Sequence, residues 1–431
     1  MKSLLLSAAP VAILLAAAPG SAATLCMTAG AATTCTGTGA PAAGFTLATT
    51  PADRSVTVTA GASVSGTGRD AIRARGTGTT ITNLGTLVSD DSDGIDGGTG
   101  LTVINAGTIA GGNRGIDADD LDGLTVVNTG TITGVDRAIR NGAGTGADIT
   151  NSGTMISTTD EGVETGDDAR VVNTGRIQGA DDALQVGRNA YVLNAGVLEN
   201  VWTGAGEPQD ALDIDQGTVI NTGSIVAAGS AGIDFDANVA DDDAPETTPH
   251  AASAVYNAGL IQGVEAAIES DPRSMGVQAI VNSGALVGTA GTALMLWGGD
   301  DSLVMQEGAT IVGASFFGTG NDLLSLDASF AGATFGLFDG GADDDTVSFA
   351  RYAIDDIAGL VLAGGVFSLT FSDAFSLSLT NWDSFVFAGT SYDRAAMAAR
   401  ATLAPVPLPA AGWAMLAGLG GLAALRRRRA A

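Results

Sequence analysis

Basic residues are scarce in this 431-residue chain. One lysine, Lys2, and 18 arginines stand against 47 acidic side chains, for a net charge of −28. A surface of that sign repels nucleic acid and anionic lipid, which argues against both as partners, and it favours divalent cations and cationic or neutral partners. A halotolerant surface selected for solubility is the plainer alternative. Histidine is represented by His250 alone, and cysteine by Cys26 and Cys35. Two thiols make a poor zinc site, and in an oxidising compartment they suit one short-loop disulfide near the mature N-terminus. No stretch of ten residues sustains the 3.6-residue apolar period, so a helical repeat is not implied.

What the chain does have is a repeat. V/I-x-N-x-G-x-I/L recurs about every 22 residues, with its asparagine at Asn83, Asn105, Asn128, Asn151, Asn173, Asn194, Asn221, Asn257 and Asn282. An earlier coil, SVTVTAGASVSG, puts Val64 in the Ile/Leu position and Ala60 in the Asn column. Eleven or twelve residues after most of the asparagines comes Ile, Leu or Val preceded by Gly or Ala, as in Gly94-Ile95, Gly115-Ile116, Ala138-Ile139 and Ala183-Leu184. Each coil therefore holds at least two short strands, with room for a third. These β-branched runs, punctuated by Gly, Asn, Asp and Thr, predict an all-β right-handed parallel β-helix of about a dozen coils. At about 4.8 Å per coil the rod would be about 55 to 60 Å long. The Ile/Val/Leu positions point inward. The Asn is assigned to the turn, because it tolerates the left-handed region and can bond to the Asn of adjacent coils. The nearby Gly is expected to relieve a Cβ constraint in the same turn.

The organisation follows. Residues 1–23 carry Lys2, an apolar run and small residues, the layout of a signal peptide cut near Ala22 or Ala23. Residues 24–55 form an N-terminal cap with the candidate disulfide, 56–317 the repeats, 318–390 acidic repeats and a C-terminal β cap, and 391–405 a linker. The tail, 406–431, reads Val406-Pro407-Leu408-Pro409-Ala410, an apolar span AGWAMLAGLGGLAAL, and Arg426, Arg427, Arg428 and Arg429. A short apolar span ending in a basic cluster fixes a transmembrane segment with its C-terminus in the cytoplasm. Without Lys2 and the four terminal arginines, 14 basic residues face 47 acidic ones, a net charge of −33.

Over residues 406–429 this tail resembles the VPLPA variant of the PEP-CTERM sorting signals. The resemblance implies a membrane protease of the exosortase type as partner, cleavage near the proline motif, and delivery to the cell surface or exterior. An ordinary C-terminal anchor is the alternative. Over about residues 56–312 the repeats resemble those of secreted β-helical adhesins and autotransporter passengers, which implies display and adhesion with a glycan or matrix partner. The autotransporter export route is not implied, since no amphipathic-strand barrel accompanies the repeats.

Chemistry is expected on the charged columns. The residue after the second-element Ile or Leu gives Arg73, Asp96, Asp117, Arg140, Glu164, Gln185, Asp213, Asp234 and Glu269, which alternation turns outward. The residue two before it gives Asp70, Asp93, Arg114, Arg137, Glu161, Asp182 and Asp210, placed in a turn as a surface ion-pair ladder. Asp213 and Asp215, with Asp234 and Asp236 on the next coil, form two D-x-D pairs flanked by insertions at 199–209 and 237–254, the first carrying Trp202 and the second His250. Four stacked carboxylates suit Ca2+, and they would also suit a glycoside hydrolase. SDGID at Ser92 to Asp96 is faintly similar to a segment of the polygalacturonases, which with the pectate lyases are parallel β-helices; that likeness implies a polysaccharide lyase or hydrolase. No Gly-His-Gly segment accompanies it, and the mature chain has no lysine to act as a lyase base, which leaves arginine for that role. GGDDSL, GTGNDLLSL and GGADDDTVSF resemble degenerate hemolysin-type calcium repeats, which implies Asp301, Asp322 and Asp345 as metal ligands. Their separations of 21 and 23 residues, rather than nine, depart from that pattern. The reading these residues support is a secreted, surface-sorted β-helical structural or adhesive protein of the envelope or matrix, with calcium as its cofactor; a polysaccharide-acting enzyme is the alternative.

Overall fold

A computed structural model describes residues 22–50, 52–204, 206–235, 252–272 and 275–403. The chain winds into a parallel β-solenoid of about 13 turns. Each repeat coil contributes three short strands, so the third strand for which the sequence left room is present. The x-V-x-N segments stack as one ladder, from Ser55–Val58 through Thr80–Asn83, Thr102–Asn105 and Thr125–Asn128 to Gln278–Asn282 and Ser302–Met305. The segments after N-x-G form a second ladder, including Thr86–Ser89, Thr108–Ala110 and Thr131–Gly134, and the Gly/Ala-Ile segments a third, including Ile95–Asp96, Ile116–Asp117 and Ile139–Asn141. Pairing is parallel and in register from coil to coil, as where Ile95 sits between Ile72 and Ile116. Alternation turns every second side chain of a strand inward, and those such as Val126, Ile132 and Ile139 form a fully buried core. Burial of each contributes roughly 1.5–3 kcal/mol.

The asparagine column is part of that core. None of its members has a positive φ, so the left-handed turn expected of them is not their role. Each Asn is buried, and from Asn83 to Asn257 its Nδ2 donates to the Oδ1 of the next: Asn83 to Asn105 at 2.8 Å, Asn151 to Asn173 at 2.9 Å, Asn257 to Asn282 at 2.8 Å. Its own Oδ1 accepts the backbone N–H two residues on, as from Gly175 to Asn173 at 3.2 Å. The N-x-G glycine is required for a different reason than expected. A Cβ on Gly175 would lie 2.1 Å from the carbonyl oxygen of Gly153 in the preceding coil, so the constraint is close approach between coils rather than φ. Upstream, Val58 and not Ala60 pairs with Asn83, because the first coil spends two more residues on its turn before Val64.

Both ends are closed. Leu25–Ala29 and Ala32–Thr36 form an antiparallel hairpin in which Cys26 faces Cys35 and is joined to it by a disulfide. Ala32–Thr36 already pairs in parallel with Ser55–Val58, so the cap and the first coil are continuous. At the other end the second and third ladders merge in Ala285–Met295 and Thr310–Phe316, and the core becomes aromatic. Phe349 stacks on Phe387 with centroids 4.6 Å apart, and Phe317 meets Trp382 edge-on at 5.3 Å. Ile357–Ala363, Val366–Phe371 and Ser376–Thr380 add antiparallel strands. Residues 391–405, expected as a linker, continue this cap as far as Leu403: Asp393 caps the helix Arg394–Arg400, Met397 buries itself, and Thr402–Leu403 pairs with Val361 and Leu362. Such structure blocks the open edge of the solenoid.

Among the described residues no helix is long and apolar enough to cross a membrane. The segment expected as a signal peptide, up to Ser21, the segment expected as a sorting motif, Val406 to Ala410, and the arginines 426–429 lie outside the described residues, as do Asp236 and His250.

Candidate functional site

The outward column of the third ladder stacks as its spacing predicted, Asp117 beside Arg140, Arg140 beside Glu164, Gln185 beside Asp213, and Asp213 beside Asp234. Parallel stacking puts successive members about 4.8 Å apart. From Arg73 to Glu164 arginines offset acids within the column and across to the neighbouring turn, whereas Asp213, Asp234 and Glu269 stack acid on acid. Asp96, nearly buried, lies between Arg73 at 2.8 Å and Arg75 at 2.9 Å. Arg114 reaches Asp136 at 2.8 Å, and Arg140 reaches Asp119 at 2.8 Å. Arg137 is the hub of this network: it contacts Asp160 at 3.1 Å, Glu161 at 2.6 Å and Glu164 at 2.7 Å. Sequence reasoning found Arg137, Glu161 and Glu164 but missed Asp136, Asp160 and Asp181. For Asp160 and Asp181 the signal is the pairing of acids in successive turns, Asp160-Glu161 and then Asp181-Asp182, and for Asp136 it is the acid directly before Arg137. Asp160, Glu161 and Asp181 converge closely enough for their carboxylates to share a cation, with the Arg137 guanidinium already among them. Burial, with Glu161 alongside, pushes the Asp160 carboxyl up to about 7.

The turn column does more than pair charges. Asp93 Oδ1 accepts the Arg114 backbone N–H at 3.0 Å, Asp182 Oδ1 that of Asp210 at 2.8 Å, and Asp210 Oδ1 that of Ala231 at 2.5 Å. Each carboxylate thus ties its turn to the next coil. Burial is the main reason that Asp93 rises to about 6, with Asp117 adding repulsion. Asp93 and Asp96 of the SDGID segment are therefore engaged in holding coils together, one by backbone N–H and the other by two arginines.

The D-x-D region is present in part. Asp213 and Asp234 are half-buried neighbours on the outward side of the third ladder, and Asp213 Oδ2 accepts from Gln185 Nε2 at 2.9 Å. Glu269 continues the column, its carboxyl raised to about 7 by burial together with Glu265 and Asp210. Asp215 stands outside this column. It lines a shallow cleft of about 260 Å³ with Glu164, Asp167 and Gln185. Trp202 of the first insertion is half-buried, whereas the second insertion is outside the described residues apart from its end.

The three acidic segments near the C-terminal cap stack on successive coils. Trp297, Gly318 and Gly341 each take a positive φ, as do Gly299, Gly320 and Asp343 two residues on, and the same turn is thereby built on three coils. Asp301, Asp322 and Asp345 end these turns in one column, buried to 1 %, 1 % and 0 % exposure. The 21- and 23-residue separations are each one full coil, which is why they stack. Asp322 Oδ1 accepts the Asp301 N–H at 2.7 Å, Asp345 Oδ1 the Asp322 N–H at 2.9 Å, and Asp301 Oδ1 the Gln278 N–H at 2.7 Å. The second oxygen, Oδ2, of all three is buried without a hydrogen-bond partner. Burial raises Asp301 to about 8, Asp322 to about 7 and Asp345 to about 6, and each also feels acidic neighbours. Hard carboxylate oxygens stacked in this way, with Asp300, Asp343 and Asp344 beside them, have the donor chemistry that a divalent cation takes.

No protein-family description, no curated protein and no solved structure matches this chain.

Proposed function

We propose that this chain is an exported structural or adhesive rod of the cell envelope or extracellular matrix, stabilised by calcium along the Asp301–Asp322–Asp345 column. One observation carries the reading: the acidic columns of the coils are used to join coil to coil, through arginine pairs and backbone N–H groups, along an uninterrupted ladder. Long regular solenoids of that kind present a repeating surface to a partner, here a glycan or matrix component. The tail at 406–431 supports sorting to the surface by an exosortase-type protease, on its proline motif, apolar span and arginine cluster.

Cell fractionation tests the sorting: the full chain is expected at the surface and a chain lacking residues 406–431 retained. Equal delivery of the two overturns it. Function is tested by screening the full chain and an Asp213→Ala/Asp234→Ala variant for glycan binding and turnover, with and without calcium. Binding without turnover, unchanged by the two substitutions, is expected. Turnover abolished by them in a folded variant would instead establish the polysaccharide-acting enzyme.

A further inference from the structure

The outward face of the first ladder has a composition unlike the rest of this chain. Its middle column reads Ile104, Val127, Thr150, Val172, Leu193, Ile220, Tyr256, Val281 and Val304, each paired in register with the next. Eight of these nine are apolar, and Ile104, Val127 and Tyr256 are 40 %, 37 % and 49 % exposed. The column two residues earlier, from Thr102 to Ser302, carries two charges, Asp148 and Arg170, which neutralise one another at 3.0 Å. The residues that directly follow these strands, from Ala106 to Gln306, carry none. The second ladder offers no equivalent: its matching outward column is broken by Thr133, Gln178, Glu199 and Gln262.

We infer that this face is a self-association surface on which two copies of the chain pack face to face. Two arguments select a second copy as the occupant. The first is charge. At −28 per chain, two copies repel through most of their surfaces, and a face with no net charge is where they approach at least cost. The second is area. Nine coils at about 4.8 Å and three outward columns about 7 Å apart give roughly 600–800 Å² per copy, or about 1,200–1,600 Å² in all, which is what a stable protein interface buries. Flat twisted sheets pack in this manner about 10 Å apart with aliphatic side chains interdigitated. Any two-fold arrangement that buries the whole stripe sets Leu193, its middle member, beside its own copy. The inference does not depend on the adhesive reading or on the sorting tail.

Sedimentation of the full chain tests it. The wild type is expected to be a dimer that tightens as sodium chloride is raised, because salt screens the residual repulsion. Val172→Glu/Leu193→Glu is expected to weaken dimerisation about tenfold or more, while Gln178→Glu, the same charge on the neighbouring face, leaves it unchanged. Far-UV circular dichroism checks that the variants keep the fold, and Leu193→Cys supplies a second readout: a disulfide-linked dimer on a non-reducing gel, which Thr131→Cys does not give. A wild type that stays monomeric at the highest concentration reached overturns the inference. So does association that survives the two glutamates, as contact through residues 406–431 or with a different partner surface would.

Discussion

The carboxylate of Asp322 accepts the backbone N–H of Asp301, one coil earlier, at 2.7 Å. The same carboxylate therefore joins two turns and leaves a buried oxygen for a cation. Asp322→Ala removes the acceptor and is expected to cost about 1–3 kcal/mol in denaturant unfolding, the penalty of an unsatisfied buried N–H. Asp322→Asn keeps an acceptor and removes a charge from the column, so in chelator it is expected to unfold no more readily than the wild type. Calcium should raise the melting temperature of the wild type and not that of Asp322→Asn. An equal rise in both would remove calcium from this column.

The asparagine ladder has interior and terminal members, and they should differ in cost. Asn173→Ala deprives Asn151 Nδ2 and the Gly175 N–H of their acceptor and breaks the donation to Asn194. Asn83→Ala breaks the donation to Asn105 and leaves the Gly85 N–H, but its upstream neighbour is Val58, which has no amide to orphan. Urea unfolding is expected to show Asn173→Ala as the more damaging by about 1–3 kcal/mol, one further buried polar group left unpaired. Equal losses would mean that the ladder bonds do not act as separate contributions.

Close approach between coils makes a sharper prediction at glycine. Gly175→Ala places a methyl 2.1 Å from a backbone oxygen that belongs to another coil. Relief requires the coils to separate, so a loss of about 3 kcal/mol or more is expected, at the upper end for overpacking. By contrast, a Cβ on Gly68 meets nothing within 4 Å, and Gly68→Ala faces only its positive φ of 63°. That variant should lose about 1 kcal/mol, read from the same unfolding curves.

Asp93 makes stability depend on pH. Its folded carboxyl titrates at about 6, above the ordinary carboxylate value near 3.9. The folded chain holds this proton more tightly than the unfolded chain does. Its contribution is therefore complete below about pH 3.9 and is lost as pH rises through about 6. Arg114, Asp70 and Asp117 are the charged groups that face it. Asp93→Asn keeps an oxygen for the Arg114 N–H and no longer titrates, so thermal melts between pH 4 and 7 should fall less steeply with pH than those of the wild type. Parallel slopes would mean that the carboxyl stays ionised throughout.

Much of this fold is legible in the sequence, and for a specific reason. The N-x-G spacing is enforced by a buried amide ladder and a backbone contact, both intolerant of slippage, so the register of Asp117, Arg140, Asp213 and Asp234 followed from counting. The roles inside that register were less accessible. Asn and Gly are the usual residues of left-handed turns, and nothing in the pattern distinguishes such a turn from an extended strand end with an inward amide. Asp301, Asp322 and Asp345 depart from a nine-residue period because their separations equal one coil. The segment after Ser391 reads as a linker because Asp393 as a cap and Met397 as a core residue gain meaning only against the end of the solenoid. The apolar stripe from Ile104 to Val304 is spread over nine coils at one residue each, so no local window of sequence contains it.

The amide ladder also settles what kind of variation the chain can absorb. Asn105, Asn128 and Asn151 see the same donor below and the same acceptor above. A coil added or removed whole leaves every remaining coil with the neighbours it requires, whereas one residue added within a strand misplaces each side chain beyond it. Length, in steps of one coil, is the dimension in which this protein is free to be edited, and the distance it spans can be reset without redesigning its interior.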